Sequence, residues 1–308
     1  MPATTKVPYF TKLDPALRHD LRQYKAAQGV PEAEQIDRAL RAWFNSRPDL
    51  IADIGREYRN QLDSMTALHD TVLGIMRSPW TIGKPGLNKA VFTTIVSLLS
   101  KACKTFKSIQ SLCERGLHED ANALARVLLE TTAAIEYILQ DKPIERSTIF
   151  YAHSLHQQIE MLRDWNRSSA VPTESFEPAL KRAETEFNRI VKSLPQGTDA
   201  KRHWSGLSGL KAVLKALGDE TTYSTGFRFG SSMIHVTDFG AHFEPDGDSG
   251  DVVFQPEGRV RGFEAPSYAA RQLLWRAADR INDRFGLGFE AKLAPFHLTD
   301  EDVKGGKK

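Results

Sequence analysis

Cysteine is scarce in this chain: two residues, Cys103 and Cys113, in 308. Both fall on one helical stretch, where ten residues of rise separate them by about 15 Å, too far for a disulfide between them. That excludes a cross-linked secreted scaffold and reads as two small buried hydrophobes in a reducing cytoplasm. A long apolar run is missing too. No stretch reaches the roughly 18 residues of a membrane span, and no signal-like apolar core follows the first residue, so the expected location is cytoplasmic with no membrane partner. There is no excess of either charge: 41 Lys+Arg against 39 Asp+Glu leave a net charge of +2. Long-range attraction to nucleic acid or lipid is therefore excluded as a property of the whole chain, and only local patches remain. No internal repeat occurs, and Gly206-X-X-Gly209 has no preceding strand, so it is no nucleotide loop.

What is present first is a short alternating segment, Val7–Leu13, in which Val7, Tyr9, Thr11 and Leu13 share one side, as in a half-exposed strand. Asp14 then caps a helix with Pro15 at its first position. Leu13, Leu17, Leu21 and Tyr24 line up, Gly29 stops that helix, and Pro31 opens another with Ile36, Ala39, Leu40 and Trp43 inward. A strand and two short helices of about forty residues cannot bury a core alone. The run TKLDPALRHDLRQYKAAQGVPEAEQIDRALRAWF resembles the ribbon-helix-helix fold of the MetJ/Arc type. The resemblance implies an obligate homodimer whose paired strands contact DNA in the major groove. Of the strand positions facing outward, Pro8, Phe10 and Lys12, Lys12 is the one groove donor. The second helix opens Pro31-Glu32-Ala33-Glu34, and carboxylates there repel phosphate. Residues 1–48 are accordingly expected to be a dimerisation unit first and a DNA reader second.

After Pro48 the apolar spacing is helical. Ile51, Ile54, Tyr58, Leu62, Met65, Val72 and Met76 predict one long helix ending near Ser78-Pro79, and the prolines and glycines of Ser78–Gly86 predict a loop. Further helices are predicted over 88–115, 119–140, 144–166, 174–193, 206–217, 221–236 and 265–285, and a small hairpin within Ala241–Val260. The charged tail 299–308 reads as a mobile end. The fold class is mainly α: an N-terminal ribbon-helix-helix-like unit, then a helical bundle over 49–298 with a small late β-hairpin.

Two helices carry polar residues at positions where a core prefers apolar ones. Arg126 and Glu130 stand one turn apart on the predicted 119–140 helix and read as a buried ion pair. In YSTGFRFGSSMIH, Tyr223 leads a segment in which Arg228 and His235 share a helical face with Ser231 and Ser232 between them. Gly226 and Gly230 there permit close backbone approach. An all-α domain with an Arg-X-X-X-Glu helix and a distal Tyr…Ser-X-X-X-His helix resembles a bacterial family of unknown function with HEPN-like helical domains. HEPN ribonucleases carry Arg-X(4–6)-His on one helix and pair two protomers across the site. Arg228 and His235 fit that spacing, and Phe229 stands where the family places a polar residue. The resemblance implies a metal-independent endoribonuclease, toxin-like or a defence effector, with no cofactor. His235 takes a proton from a ribose 2′-hydroxyl, Arg228 holds the phosphate, and Ser231 or Ser232 orients either one. Arg126, Glu130 and Tyr223 supply the supporting network.

Metal patterns are weaker. His235, Asp238 and His242 are interrupted by Gly240; His153, His156 and Glu160 lack the paired Glu-X-X-His of di-iron bundles. Asp246, Asp248 and Asp251 are spaced as a turn rather than a calcium loop. No metal site is expected. Two readings stand: a dimeric ribonuclease acting on RNA, and a non-catalytic regulator that binds DNA or another partner and carries a helical sensor bundle.

Overall fold

The computed structural model describes residues 48–82, 84–167, 176–224, 243–245, 252–254 and 262–298. The ribbon-helix-helix expectation over 1–48, with Lys12, lies outside them apart from the last residue, as does the tail 299–308. Contacts divide the chain into two units, Met1–Ala52 and Asp53–Lys308. In the first, the described residues are the opening turns of helix α1 (Pro48–Glu57).

The second unit is mainly helical among its described residues. After the remainder of α1 come α2 (Arg59–Arg77), α3 (Lys89–Cys113), α4 (His118–Gln140), α5 (Pro143–Arg167), α6 (Glu177–Val191), α7 (Leu210–Ala216) and the single turn α8 (Glu220–Thr222). The short strands β1 (Phe243–Pro245) and β2 (Val252–Phe254) pair antiparallel, Phe243 opposite Phe254. Helix α9 (Glu264–Phe285), the turn α10 (Glu290–Leu293) and a 3₁₀ turn at Ala294–Phe296 follow.

Helix α3 shows why these segments fold as they do. Asn88 caps it by accepting from the Val91 N–H at 2.9 Å. Val91, Ile95, Leu98, Leu99, Ala102, Phe106, Ile109 and Cys113 recur at three- and four-residue steps and are all buried. Gly116, at φ 77°, ends it in the left-handed conformation that favours glycine. Phe106 is fully buried, a contribution of about 1.5–3 kcal/mol.

Helices α4 and α9 form the centre. Both present alanines to the core, Ala121, Ala125, Ala133 and Ala134 on α4 and Ala270, Ala277 and Ala278 on α9. Small side chains let the backbones come close enough for the Thr132 hydroxyl to donate to the Leu273 carbonyl at 3.1 Å. Helix α3 packs on both, α2 on α3 and α9, and α5 on α3 and α4. Helix α6 packs on α5 across a separate cluster of Ile149, Ala152, Leu155 and Ile159 with Ala183, Phe187 and Ile190.

The structure departs from expectation in two places. The long helix predicted through Tyr58 is broken there (φ −114°, ψ 20°). Tyr58 stacks on Phe263 with ring centroids 4.3 Å apart and donates its hydroxyl to Glu264 at 2.9 Å. These two contacts draw the side chain out of the helical path. The helix predicted over 206–217 is limited to α7, because Gly206 and Gly209 sit at φ 73° and 148°.

Candidate functional site

Helix α4 carries the polar residues singled out in the sequence, and a loop crosses them. The segment 192–209 leaves α6 and returns across α4 and α5 with Trp204 almost fully buried. The Trp204 indole N–H donates to Glu130 Oε1 at 3.2 Å, and its ring meets Tyr137 and Phe150 edge-on at 6.2 and 6.0 Å. Glu130 is thus held by Trp204. Arg126, one turn before it on α4, makes an interaction of its own. The buried indole N–H needs an acceptor and finds this carboxylate within reach.

Two histidines flank Trp204. His153 Nδ1 lies 2.9 Å from the Ala200 carbonyl, which can only accept, so this nitrogen carries the proton. His203 Nδ1 accepts from the Ser205 backbone N–H at 3.3 Å and lies 2.7 Å from Ser205 Oγ, so its proton sits on Nε2. Ser205 Oγ in turn accepts from the Leu207 N–H at 3.1 Å. Burial pushes the His203 pKa below its ordinary value and the neighbouring His153 pushes the same way, against the pull of Glu130. Both rings are committed to loop backbone. The cluster fixes the 192–209 loop to α4 and α5, a bracing role.

The His153-X-X-His156-X-X-X-Glu160 spacing is also resolved by geometry. His156 packs against Phe187 with centroids 5.8 Å apart, while Glu160 receives a hydrogen bond from Arg163 at 2.8 Å. Among the described residues no three His, Cys, Asp or Glu side chains converge as metal ligands. The cysteines are buried, and burial pushes the Cys103 thiol up to about 11 and the Cys113 thiol up to about 12.

A second polar knot joins the two central helices. Arg276 of α9 donates from Nε and Nη2 to the two oxygens of Glu136 on α4 at 2.9 and 2.8 Å, and from Nη1 to Asp219 at 2.7 Å. Burial disfavours its charge, but the two carboxylates more than offset that and raise its pKa. Asp219 is the N-cap of α8, and Tyr223 caps the other end of that turn. The chain then enters the segment carrying Arg228, Ser231, Ser232 and His235, all four of which lie outside the described residues. It re-emerges at Gly262 and Phe263, again against fixed partners. Phe263 is fully buried, stacks on Tyr58 and meets His118 edge-on at 6.0 Å. A Cβ on Gly262 would stand 3.5 Å from the His118 ring, at φ 99°. The described residues before and after that stretch, Asp219 and Phe263, are thus held to the bundle by Arg276 and by Tyr58 and His118.

Sequence reasoning missed Trp204, His203 and Arg276. Trp204 and His203 have one signal, an aromatic pair inside a polar, glycine-bearing stretch. Arg276 has another, a cation set between the small residues of α9.

A family of unknown function (DUF5677) matches residues 92–250, just over half of the chain. No curated protein and no solved structure matches it.

Proposed function

The chain belongs to this family of unknown function, and from that premise we propose that it is a HEPN-like endoribonuclease, cytoplasmic and dimeric, of the toxin or defence-effector kind. The reading draws support from the Arg228…His235 spacing in the sequence, on a stretch whose described neighbours in the chain, Asp219 and Phe263, are both held by the helical bundle. The family match, over 92–250, includes Arg228 and His235. In this reading His235 removes the proton of a 2′-hydroxyl, and the 2′-oxygen forms a bond to phosphorus. The P–O5′ bond breaks, leaving a 2′,3′-cyclic phosphate and a 5′-hydroxyl end that takes its proton from water. Arg228 holds the phosphate oxygens as their charge grows, and Ser231 or Ser232 orients imidazole or phosphate. Residues 1–48 are the dimerising ribbon-helix-helix-like unit, and 241–260 a small hairpin. The reaction needs no metal or cofactor.

The alternative is a non-catalytic regulator binding DNA or a protein partner. It draws support from the described His153 and His203, whose ring nitrogens serve packing rather than a cleft. The full chain incubated with end-labelled single-stranded RNA in the presence of chelator separates the two. Cleavage that His235→Ala and Arg228→Ala abolish without a change in melting temperature is the expected result. A parent that cleaves no RNA, or a His235→Ala variant that cleaves as the parent does, overturns the ribonuclease reading.

A further inference from the structure

Helix α3 is chemically one-sided in a way the core does not require. Over its 25 residues it holds Lys89, Lys101, Lys104 and Lys107 and no Asp or Glu, in a chain whose charges otherwise balance. Lys101, Lys104, Lys107 and Ser108 are exposed, and so is Arg115 just beyond the helix end. Lys101, Lys104 and Lys107 follow at three-residue steps, and Arg115 stands seven residues after Ser108, away from the buried row that ends at Cys113.

Several cations on other helices are paired. Arg163 is paired with Glu160 and Glu184, Arg189 with Glu186, and Arg276 with Glu136 and Asp219. On α3, Lys101, Lys104, Lys107 and Arg115 make no ion pair among the described residues. Lys107 donates to Gln110 Oε1 at 3.2 Å, which leaves its charge unneutralised. The adjacent carboxylate, Glu114, receives the Gln110 amide at 3.0 Å. The positive field reaches across the helix surface: together with burial, the larger effect, Lys107 helps hold His69 below its ordinary pKa.

Lys104, Lys107, Ser108, Ser111, Leu112 and Arg115 line one shallow, open depression on the surface. Cations three residues, about 4.5 Å of rise, apart from Lys101 to Lys107, and Arg115 about 12 Å further on, with the Ser108 and Ser111 hydroxyls between, suit a chain of phosphates. A lipid surface calls for apolar side chains that insert, and none of the exposed large hydrophobic residues lies on α3.

We infer that this face of α3 is a track for the phosphate backbone of a single-stranded RNA. The ribonuclease reading supplies the choice of RNA; the unpaired positive charge of this face stands without it.

The test uses the full chain and a fluorescent 2′-O-methyl oligouridylate, which cannot be cleaved through its 2′-oxygen. Binding is followed by anisotropy across salt concentration. Each phosphate neutralised contributes about 0.7 to the slope of log affinity against log salt. The triple variant Lys104→Gln/Lys107→Gln/Arg115→Gln should therefore lower the slope by roughly 2 and weaken low-salt binding by about tenfold or more. Lys181→Gln/Arg182→Gln, which removes two exposed cations from α6, serves as the control and should bind as the parent does. A triple variant that binds as the parent does overturns the inference. So does a parent that ignores the oligonucleotide but sediments with phosphatidylserine vesicles, which would make the face a membrane surface. A parent that binds through α3 yet never cleaves native RNA leaves this inference standing and removes only the ribonuclease reading.

Discussion

Replacing Arg276 by alanine is expected to be among the most damaging single changes outside the apolar core. The guanidinium is 22% exposed, and its partners Glu136 and Asp219 are 15% and 24% exposed. Truncation leaves two carboxylates close together with little water to replace three charge-assisted hydrogen bonds. Removing one partner of a fully buried pair costs about 3–5 kcal/mol. The residual exposure of all three groups places this case at the lower end, about 3 kcal/mol. For a unit of this size each kcal/mol moves the melting temperature by about 2–4 °C, so Arg276→Ala should melt about 6–12 °C below the parent. Arg276→Lys keeps the charge but cannot span both oxygens of Glu136 and reach Asp219, and should fall between the two. Calorimetry or a circular-dichroism melt reads the difference directly. A double-mutant cycle with Glu136→Ala should return a coupling of about 1–3 kcal/mol. A melting temperature for Arg276→Ala within about 2 °C of the parent would refute the buried clamp.

Acid should destabilise the fold through His203, whose pKa burial holds below the ordinary 6.5. The unfolded chain takes up the proton first, so stability is intact above about pH 7 and declines as pH falls through about 6 towards the folded-state value. Urea midpoints at several pH values check this, and a His203→Gln variant with an unchanged pH slope would contradict it. The two thiols, held near 11 and 12 by burial, should react with Ellman's reagent at about pH 8 far more slowly in the native protein than in urea. Equal rates in both conditions would show that they are accessible.

The bundle itself was readable because helices announce themselves locally. The apolar steps from Val91 to Cys113, the cap at Asn88 and the stop at Gly116 all lie within one segment, and α3, α4 and α9 begin and end within a few residues of expectation. What was not readable depends on distant partners. The break at Tyr58 is caused by Phe263 and Glu264, some two hundred residues later. Glu130 also receives an indole N–H from 74 positions away, which no one-turn spacing reveals. Arg276 reaches carboxylates 140 and 57 positions away, and no local pattern encodes that. The lysines of α3 were visible as letters, but a helix free of acids gains meaning only when its charged side is seen to face solvent.

The alanine-faced contact between α4 and α9 has a consequence for how the chain is made. Residue 140 leaves the ribosome long before residue 285 does. At roughly 5–20 residues per second that interval is about 7–29 s, during which α4 lacks α9, one of its two main partners. A nascent chain in this state shows a stripe of small apolar residues and an unpaired Glu136, and α3 is the neighbour already available to cover part of it. Docking of α9 then closes a loop of well over a hundred residues in one step, a slow, non-local event. Ribosome-stalled chains ending before residue 264 should accordingly be captured by chaperones, and those extending well past residue 285 should be released.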